Sequence, residues 1–377
     1  MDTIPVMRPW LGAEEAEAAA AAITSGWIAQ GPRVAEFEQA LAGRIGAAHG
    51  VAVSSCTTAL HLALEVLGVA PGDEVVVPSF SFIATANVVK HAGAVPVFAD
   101  IDGATGNLSA KTVEQVVGPH TKAVIAVHQG GVPAPINELK ELCGPLGIAL
   151  VEDAACAMGS TYEGRPVGAG AEMAAFSFHP RKLLTTGEGG MLTTDSARFA
   201  TRARRLREHG MDVSAADRHS ASKIVLESYL EVAWNYRMTD MQAAVGLVQL
   251  GKLDAMVERR RVLARRYQEG LAGIPGLQIV ADPPYGTSNY QSFWIVLPDD
   301  APVGRNELLE RLLQHGISAR RGIMAAHLEP AYLDGSGPEL PVTERMTAQS
   351  LILPLFHDLA ESDQDRIIEV LSAELSR

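Results

Sequence analysis

Three short segments of this 377-residue chain carry residues whose types and spacing suit chemistry. The first is AAFSFHPRKLLTTGEGGMLTTD, Ala174 to Asp195. Its lysine, Lys182, stands between a strand-like run and the glycine-rich turn Gly187-Glu188-Gly189-Gly190. Ala174, Phe176 and Phe178 alternate there with small or polar residues, as a strand entering a turn does. A primary amine fixed at that turn can form a Schiff base once burial or neighbouring charge lowers its pKa. The alternative is a solvated loop lysine. The second segment, ALVEDAACAMG, delivers Asp153 to the carboxyl end of an apolar strand. A carboxylate buried there needs a cationic partner, unless it merely caps the following helix. Strand alternation sends its neighbour Glu152 to the other face. The third, SSCTTALHLAL, places Ser54, Ser55, Thr57 and Thr58 directly before an apolar helix. Free N–H groups and hydroxyls at a helix start can hold a phosphate or form a plain N-cap.

These segments need a rigid frame. Strand patterns at Glu74–Val77, Val95–Ala99, Lys122–Val127, Ala149–Val151 and Met191–Thr194 alternate with helical patterns at Thr58–Leu67, Ile83–His91 and Ile136–Cys143. Such alternation implies an α/β fold with a mostly parallel sheet, whose ligands sit beyond the carboxyl ends of strands. A charged helix beginning near Leu250 reads as a connector. It leads to a smaller α+β unit with elements at Gln278–Val280, Ser292–Leu297, Arg305–Gln314, Ile317–Ala319 and Asp363–Leu375. The expected division is 1–250 for a large domain with an amino-terminal arm, and 251–377 for the connecting helix and a small domain.

Hydrophobic residues make up 47% and charged residues 20%, which is globular rather than disordered composition. A net charge of -13 argues against nucleic acid or an anionic membrane as partner. The arginine runs at 202–207 and 259–266 read as solvated helix faces. Cys56, Cys143 and Cys156 show neither disulfide nor metal spacing, so no metal is expected. With no apolar run of about 18 residues and no secretory pattern at the start, a cytoplasmic protein is expected.

Ser177-Phe178, Lys182 and Gly187 to Gly190 together reproduce a Ser-Phe-x-x-x-Lys motif followed by a Gly-Glu-Gly-Gly turn. In this the chain resembles the DegT/DnrJ/EryC1/StrS family of pyridoxal-phosphate (PLP) sugar aminotransferases, from GWIAQGPRVAEFE near the start to GIMAAHLEPAY near the end. The resemblance implies PLP as cofactor and a fold-type-I, aspartate-aminotransferase-like architecture with a smaller carboxy-terminal domain. It also implies roles for particular residues. Lys182 would hold the cofactor as a Schiff base and shuttle the proton, and Asp153 would keep the pyridine nitrogen charged. Thr57, Thr58 and Ser177 would meet the phosphate. Phe82 would cover the ring, with Phe80 as the fallback. Asn235, in WNYRMTDMQAAVGL, would reach the phosphate of a neighbouring subunit, making a homodimer with shared sites.

On the substrate side the resemblance points to His327. Arg320 and Arg321 just before it could bind a diphosphate or carboxylate. Gly26 to Gly31, His128-Gln129 and the polar stretch Met211 to Ser228 are further candidates for the entrance. Two departures stand out. Cys56 occupies a position where the family commonly has glycine, which is tolerable if its φ is not positive. Cys156 replaces a glutamine or histidine, which leaves the substrate subclass open. The expected reaction moves an amino group from glutamate or glutamine to a keto-sugar, foremost a nucleotide-linked 4-keto-6-deoxyhexose. Aminocyclitol transamination shares the same motifs. Sugar dehydration is disfavoured because related dehydratases carry histidine at the lysine position; His179 lies three residues too early to be it. A non-catalytic PLP-binding protein would normally lack Lys182 or Asp153.

Overall fold

The computed structural model describes residues 3–214, 218, 223–333 and 337–376. Its strands are β1 His49–Val53, β2 Glu74–Pro78, β3 Val95–Ala99, β4 Thr121–Val127, β5 Ala149–Asp153, β6 Thr161–Tyr162, β7 Arg165–Pro166, β8 Met173–Ser177, β9 Gly190–Thr194, β10 Gln278–Ile279, β11 Gly286–Thr287, β12 Phe293–Val296, β13 Arg320–Arg321 and β14 Ser350–Leu353. Seven form one sheet in the order β1-β9-β8-β5-β4-β2-β3. The pairs β2–β3, β2–β4, β4–β5 and β5–β8 are parallel, and β9 runs antiparallel to both its neighbours. The expected mostly parallel α/β sheet is therefore present.

Alternating residues of these strands feed two apolar layers. Val75 and Val77 pack with Leu60, Leu64, Val88 and Leu206 from helices Cys56–Leu67, Ala84–His91 and Ala197–Leu206. Val76 faces the other way, toward Val124, Leu139 and Leu150. Next to it Phe176 and Met191 meet Phe37, Leu41 and Met256. With helices on both faces, Asp153 and Ser177 are the last residues of buried interior strands and so stand at the carboxyl end of the sheet, where such sheets place their ligands.

A second, antiparallel sheet has the order β10-β12-β14-β13 and a core around Tyr267, Phe293, Leu308 and Leu351. β11 leaves it to pair with β6, in a small sheet ordered β11-β6-β7.

The structure corrects four expectations about elements. The connector does not begin near Leu250: one helix runs unbroken from Asp240 to Leu271, capped by Thr239. The strand expected at 317–319 lies at Arg320–Arg321. Ile4 pairs with Ile317 and packs in the carboxy-terminal core rather than with the large sheet. Finally, Arg207 and Arg260 are buried, unlike a solvated face. Arg207 is ion-paired to Glu38 and donates to the Ala52 carbonyl at 2.7 Å. Arg260 donates to the carbonyls of Tyr290 and Gln291 at 2.7 and 2.8 Å. Both are charges placed inside to join distant segments, Arg207 a helix and a strand and Arg260 a loop, a use that sequence periodicity does not reveal.

Candidate active site

Strand ends bring Lys182 and Asp153 together. Lys182 follows β8 in a turn whose backbone closes on itself, with the Lys182 N–H donating to His179 and the Thr186 N–H to Phe178. Side chains from elsewhere clamp this turn. Gln291 accepts from the Leu183 N–H at 2.9 Å and donates to the Arg181 carbonyl at 2.6 Å. From the long helix, Gln249 accepts from the Thr185 N–H and Gln242 donates to the Glu188 carbonyl. The lysine amine therefore sits on a fixed platform, and Nζ donates to Cys156 Sγ at 3.0 Å.

Burial pulls the Lys182 pKa down, but the contact and charge of Cys156, with Cys56 and Asp153, outweigh it and leave the pKa raised. The expected lowering is thus corrected. The polar neighbours keep the proton on the amine, so imine formation there requires that proton to leave.

Asp153 is 5% exposed. Its Oδ1 accepts from the Ala155 N–H and its Oδ2 from the Thr85 hydroxyl, both at 3.1 Å. Burial pushes its pKa up, against Ala155, Lys182, Thr85 and His128. Among the described residues no cation lies in ion-pair contact with it. A buried carboxylate of this kind fits a protonated ring nitrogen. The alternative reading as a cap is partly met, since Oδ1 does bond Ala155, yet Oδ2 is engaged separately by Thr85.

The helix Cys56–Leu67 starts beside Lys182. Ser55 and Thr58 cap it reciprocally, with the Ser55 hydroxyl accepting the Thr58 N–H and the Thr58 hydroxyl accepting the Ser55 N–H, both at 3.1 Å. The N-cap reading holds for these two side chains. The Thr57 hydroxyl has no partner among the described residues and is half-buried, and Ser177 ends β8 nearby. Gly190 is obligatory here, because a Cβ on it would strike the backbone of Ser55 and Cys56. The strand thus lies flush against the helix start, whose first N–H groups remain for an anion. Cys56 is the first helical residue and is not among the positive-φ residues, so its substitution for glycine is tolerated.

Phe82 is 70% exposed at the mouth, while Phe80 is 2% exposed and packs in the core, which removes the fallback. The Phe82 carbonyl accepts from the Thr85 N–H, and Thr85 in turn bonds Asp153, so the exposed ring is tied to the acid. Asn235 is exposed and pairs by backbone with Glu208. The adjacent Tyr236 carbonyl accepts the Ser54 N–H at 2.8 Å, so this segment borders the phosphate-side loop of its own chain.

The substrate-side candidates divide. Arg320 lines a cavity beside the Lys182 turn together with Arg181, Arg260 and Gln291, whereas Arg321, next along the strand, points out to an ion pair with Glu329 at 3.6 Å. His327 is buried: Nδ1 meets Ser79 Oγ at 2.6 Å and Nε2 meets Glu344 at 3.4 Å, so both ring nitrogens are occupied. His128 and Gln129 are corrected from entrance to interior. His128 accepts the Ala134 N–H and contacts Glu152, while Gln129 donates to the Phe80 carbonyl. Gly31 belongs to a junction in which Asp240 accepts the N–H groups of Gly31, Arg33 and Val34. Within the stretch Met211 to Ser228, residues 215–217 and 219–222 lie outside the described residues, and Arg218 pairs with Glu227 at 2.7 Å.

Sequence reasoning missed the segment Ser288 to Ser292. Asn289 donates to the carbonyls of Cys156 and Met158 at 2.9 and 2.8 Å, and Gln291 holds the Lys182 turn. Tyr290 between them has φ +48°, a strained value for a bulky residue, and Arg260 fastens it. The Asn-x-Gln spacing was the only signal available.

An imine-forming lysine, a buried acid, an anion-ready helix start and an exposed aromatic fit PLP. The DegT/DnrJ/EryC1/StrS aminotransferase family model matches residues 9–372, so the chain belongs to that family and is a PLP-dependent aminotransferase. Solved structures agree in fold. The aminotransferase TlmJ from Streptoalloteichus hindustanus is 38% identical over 99% of both chains, with a TM-score of 0.91. Spr1654 from Streptococcus pneumoniae, solved in PMP and PLP forms, is 28% identical over 99% of both chains, and its PMP form gives a TM-score of 0.93. DesI, solved in the presence of its TDP-sugar product, is 32% identical over 100% of this chain and 94% of its own, with a TM-score of 0.89.

Proposed function

We propose that this enzyme moves an amino group from glutamate or glutamine to a keto-sugar, foremost a nucleotide-linked 4-keto-6-deoxyhexose. The observation that carries the transamination chemistry is the part-buried Lys182 amine, held on the clamped turn against Cys156 and within electrostatic reach of the buried Asp153. The sugar rests on the likeness to DesI, which was solved with its TDP-sugar product. Bound PLP supplies an electron sink that lets an amino group pass from one carbon to another. Lys182 binds the cofactor and moves the proton, Asp153 holds positive charge at the ring nitrogen, and the start of Cys56–Leu67, with Thr57 and Ser177, holds the phosphate. Phe82 covers one face of the ring. Retention of Lys182 disfavours dehydration.

The test is a panel of keto-sugar nucleotides and inososes, each paired with glutamate or glutamine and followed through the cofactor's absorbance. Return of the amine form by a 4-keto-6-deoxyhexose nucleotide is the expected result. Return by an inosose alone would reassign the substrate to a cyclitol.

The same reading includes a homodimer with shared sites. Asn235 is exposed, and Ile224, Leu226 and Val232 nearby stand 93%, 84% and 96% exposed, which supports burial against a second copy. Mixing inactive Lys182→Ala and Asn235→Ala proteins should then restore partial activity, because one site of each hybrid is intact. If Asn235 serves its own subunit, mixing restores nothing.

A further inference from the structure

A cavity of about 200 Å³ lies between the amino-terminal segment and the Lys182 turn, and the roles above leave it without an occupant. Val6, Met7 and Leu353 supply apolar wall, and its charged lining consists of Arg181, Arg260 and Arg320 with no carboxylate. In a chain of net charge -13, three guanidinium groups gathered without an acid are unexpected. Arg260 is spent on the Tyr290 and Gln291 carbonyls. The other two are not: neither Arg181 nor Arg320 has an ion-pair partner among the described residues, and the buried Nε of Arg320 has no acceptor. A buried donor without an acceptor destabilises the fold unless a ligand provides one.

The position relative to the chemistry is close. Arg181 precedes Lys182 in the chain. Arg320 lies within electrostatic reach of Arg181 and of Cys156, whose sulfur is 3.0 Å from the lysine amine. The volume lies below the roughly 300–1,000 Å³ typical of sites for whole drug-sized ligands. It suits one end of a small acid rather than a nucleotide diphosphate.

We propose that this cavity seats the carboxylate of the amino donor, with the Arg320 fork as its main ligand and Arg181 as the second cation. The assignment rests on the aminotransferase reading with an acidic amino-acid donor. Arginine is the side chain suited to it, because a planar guanidinium grips a carboxylate through two parallel N–H bonds.

The test uses the PLP-loaded enzyme and glutarate, a five-carbon dicarboxylate with no amine. Titration calorimetry should show saturable binding, weakened about 10- to 100-fold in Arg320→Met and less in Arg320→Lys, which keeps the charge but loses the fork. Arg181→Met should weaken it less than Arg320→Met. Unchanged unfolding midpoints and PLP content separate this from misfolding. In half-reactions, Arg320→Met should raise the glutamate concentration needed to convert the cofactor, while the keto-substrate step from the amine form keeps its wild-type concentration dependence. Undiminished glutarate binding in both methionine variants overturns the proposal. So does a defect confined to the keto-substrate step, which would give the cavity to a diphosphate. If no keto-sugar is a substrate, the sugar reading fails, yet the glutarate and glutamate measurements still decide this one.

Discussion

The inner wall and the outer rim of the pocket are built by opposite rules. At the inner wall the reacting groups and the turn that carries them are held by named partners. Asp153 ends a buried strand, Lys182 rides on a turn pinned by Gln242, Gln249 and Gln291, and Asn289 fastens the loop that carries Cys156. At the rim, Phe82, Asn235 and the residues from Ile224 to Val232 are largely exposed. The inner wall has one arrangement because misplacing it would leave buried polar atoms unpaired. The rim has no such constraint, and partner and substrate can shape it. Chemistry is thus fixed by the interior, and specificity is left to the surface.

Substitutions can break or sharpen this contrast. The largest effect belongs to Lys182→Ala, which should abolish turnover while the protein folds and still binds PLP without a covalent link. Borohydride reduction and peptide mapping of the wild type should place the pyridoxyl label on Lys182; a label on another lysine removes it from the mechanism. Asp153→Asn should keep PLP but lose about 100-fold or more in kcat, the usual scale for removing a charge-stabilising group. A near-normal kcat would reduce Asp153 to a cap. Next, Asn289→Ala touches no reacting atom yet orphans the carbonyls of Cys156 and Met158. It should cost about 1–3 kcal/mol of stability in urea unfolding and lower activity as well; a fully stable, fully active variant would show that the loop holds itself. Smallest is Phe82→Ala. Stability should stay within about 0.5 kcal/mol, since the ring is exposed, while PLP affinity falls by about 3- to 10-fold with the loss of stacking. A marked stability loss would mean that Phe82 belongs to the interior.

The same contrast explains what the sequence revealed. Strand runs such as Val75–Val77 and Ala123–Val127 announced the sheet, because a strand covered on both faces must be apolar throughout. Asp153 was legible because it ends such a run, and Lys182 because it stands between one and a glycine-rich turn. His128 was not: only the fold shows that its ring sits between Ala134 and Glu152 inside the protein. His327 is similar, since a histidine read as substrate-facing is buried between Ser79 and Glu344. Arg207 and Arg260 looked like surface charge because local spacing says nothing of carbonyls brought from distant segments. The clamp at Asn289 and Gln291 was invisible for the same reason: its partners lie more than a hundred residues away.

The pairing of Ile4 with the strand-like segment at Ile317 has a temporal consequence. Ile4 exchanges backbone hydrogen bonds with Gly316 and Ser318, and Val6 accepts one from Leu355. As the chain is synthesised, its opening residues emerge long before those partners exist, so they wait unpaired while the seven-stranded sheet assembles behind them. The strands that carry Asp153 and lead to Lys182 come from residues made early, whereas the Gln249 and Gln291 clamps on the Lys182 turn come later, and the cavity lined by Val6 and Leu353 closes only when the final stretch arrives. The reacting lysine is therefore pinned only once the chain has passed Gln291, and the chamber beside it is sealed by the last stretch made.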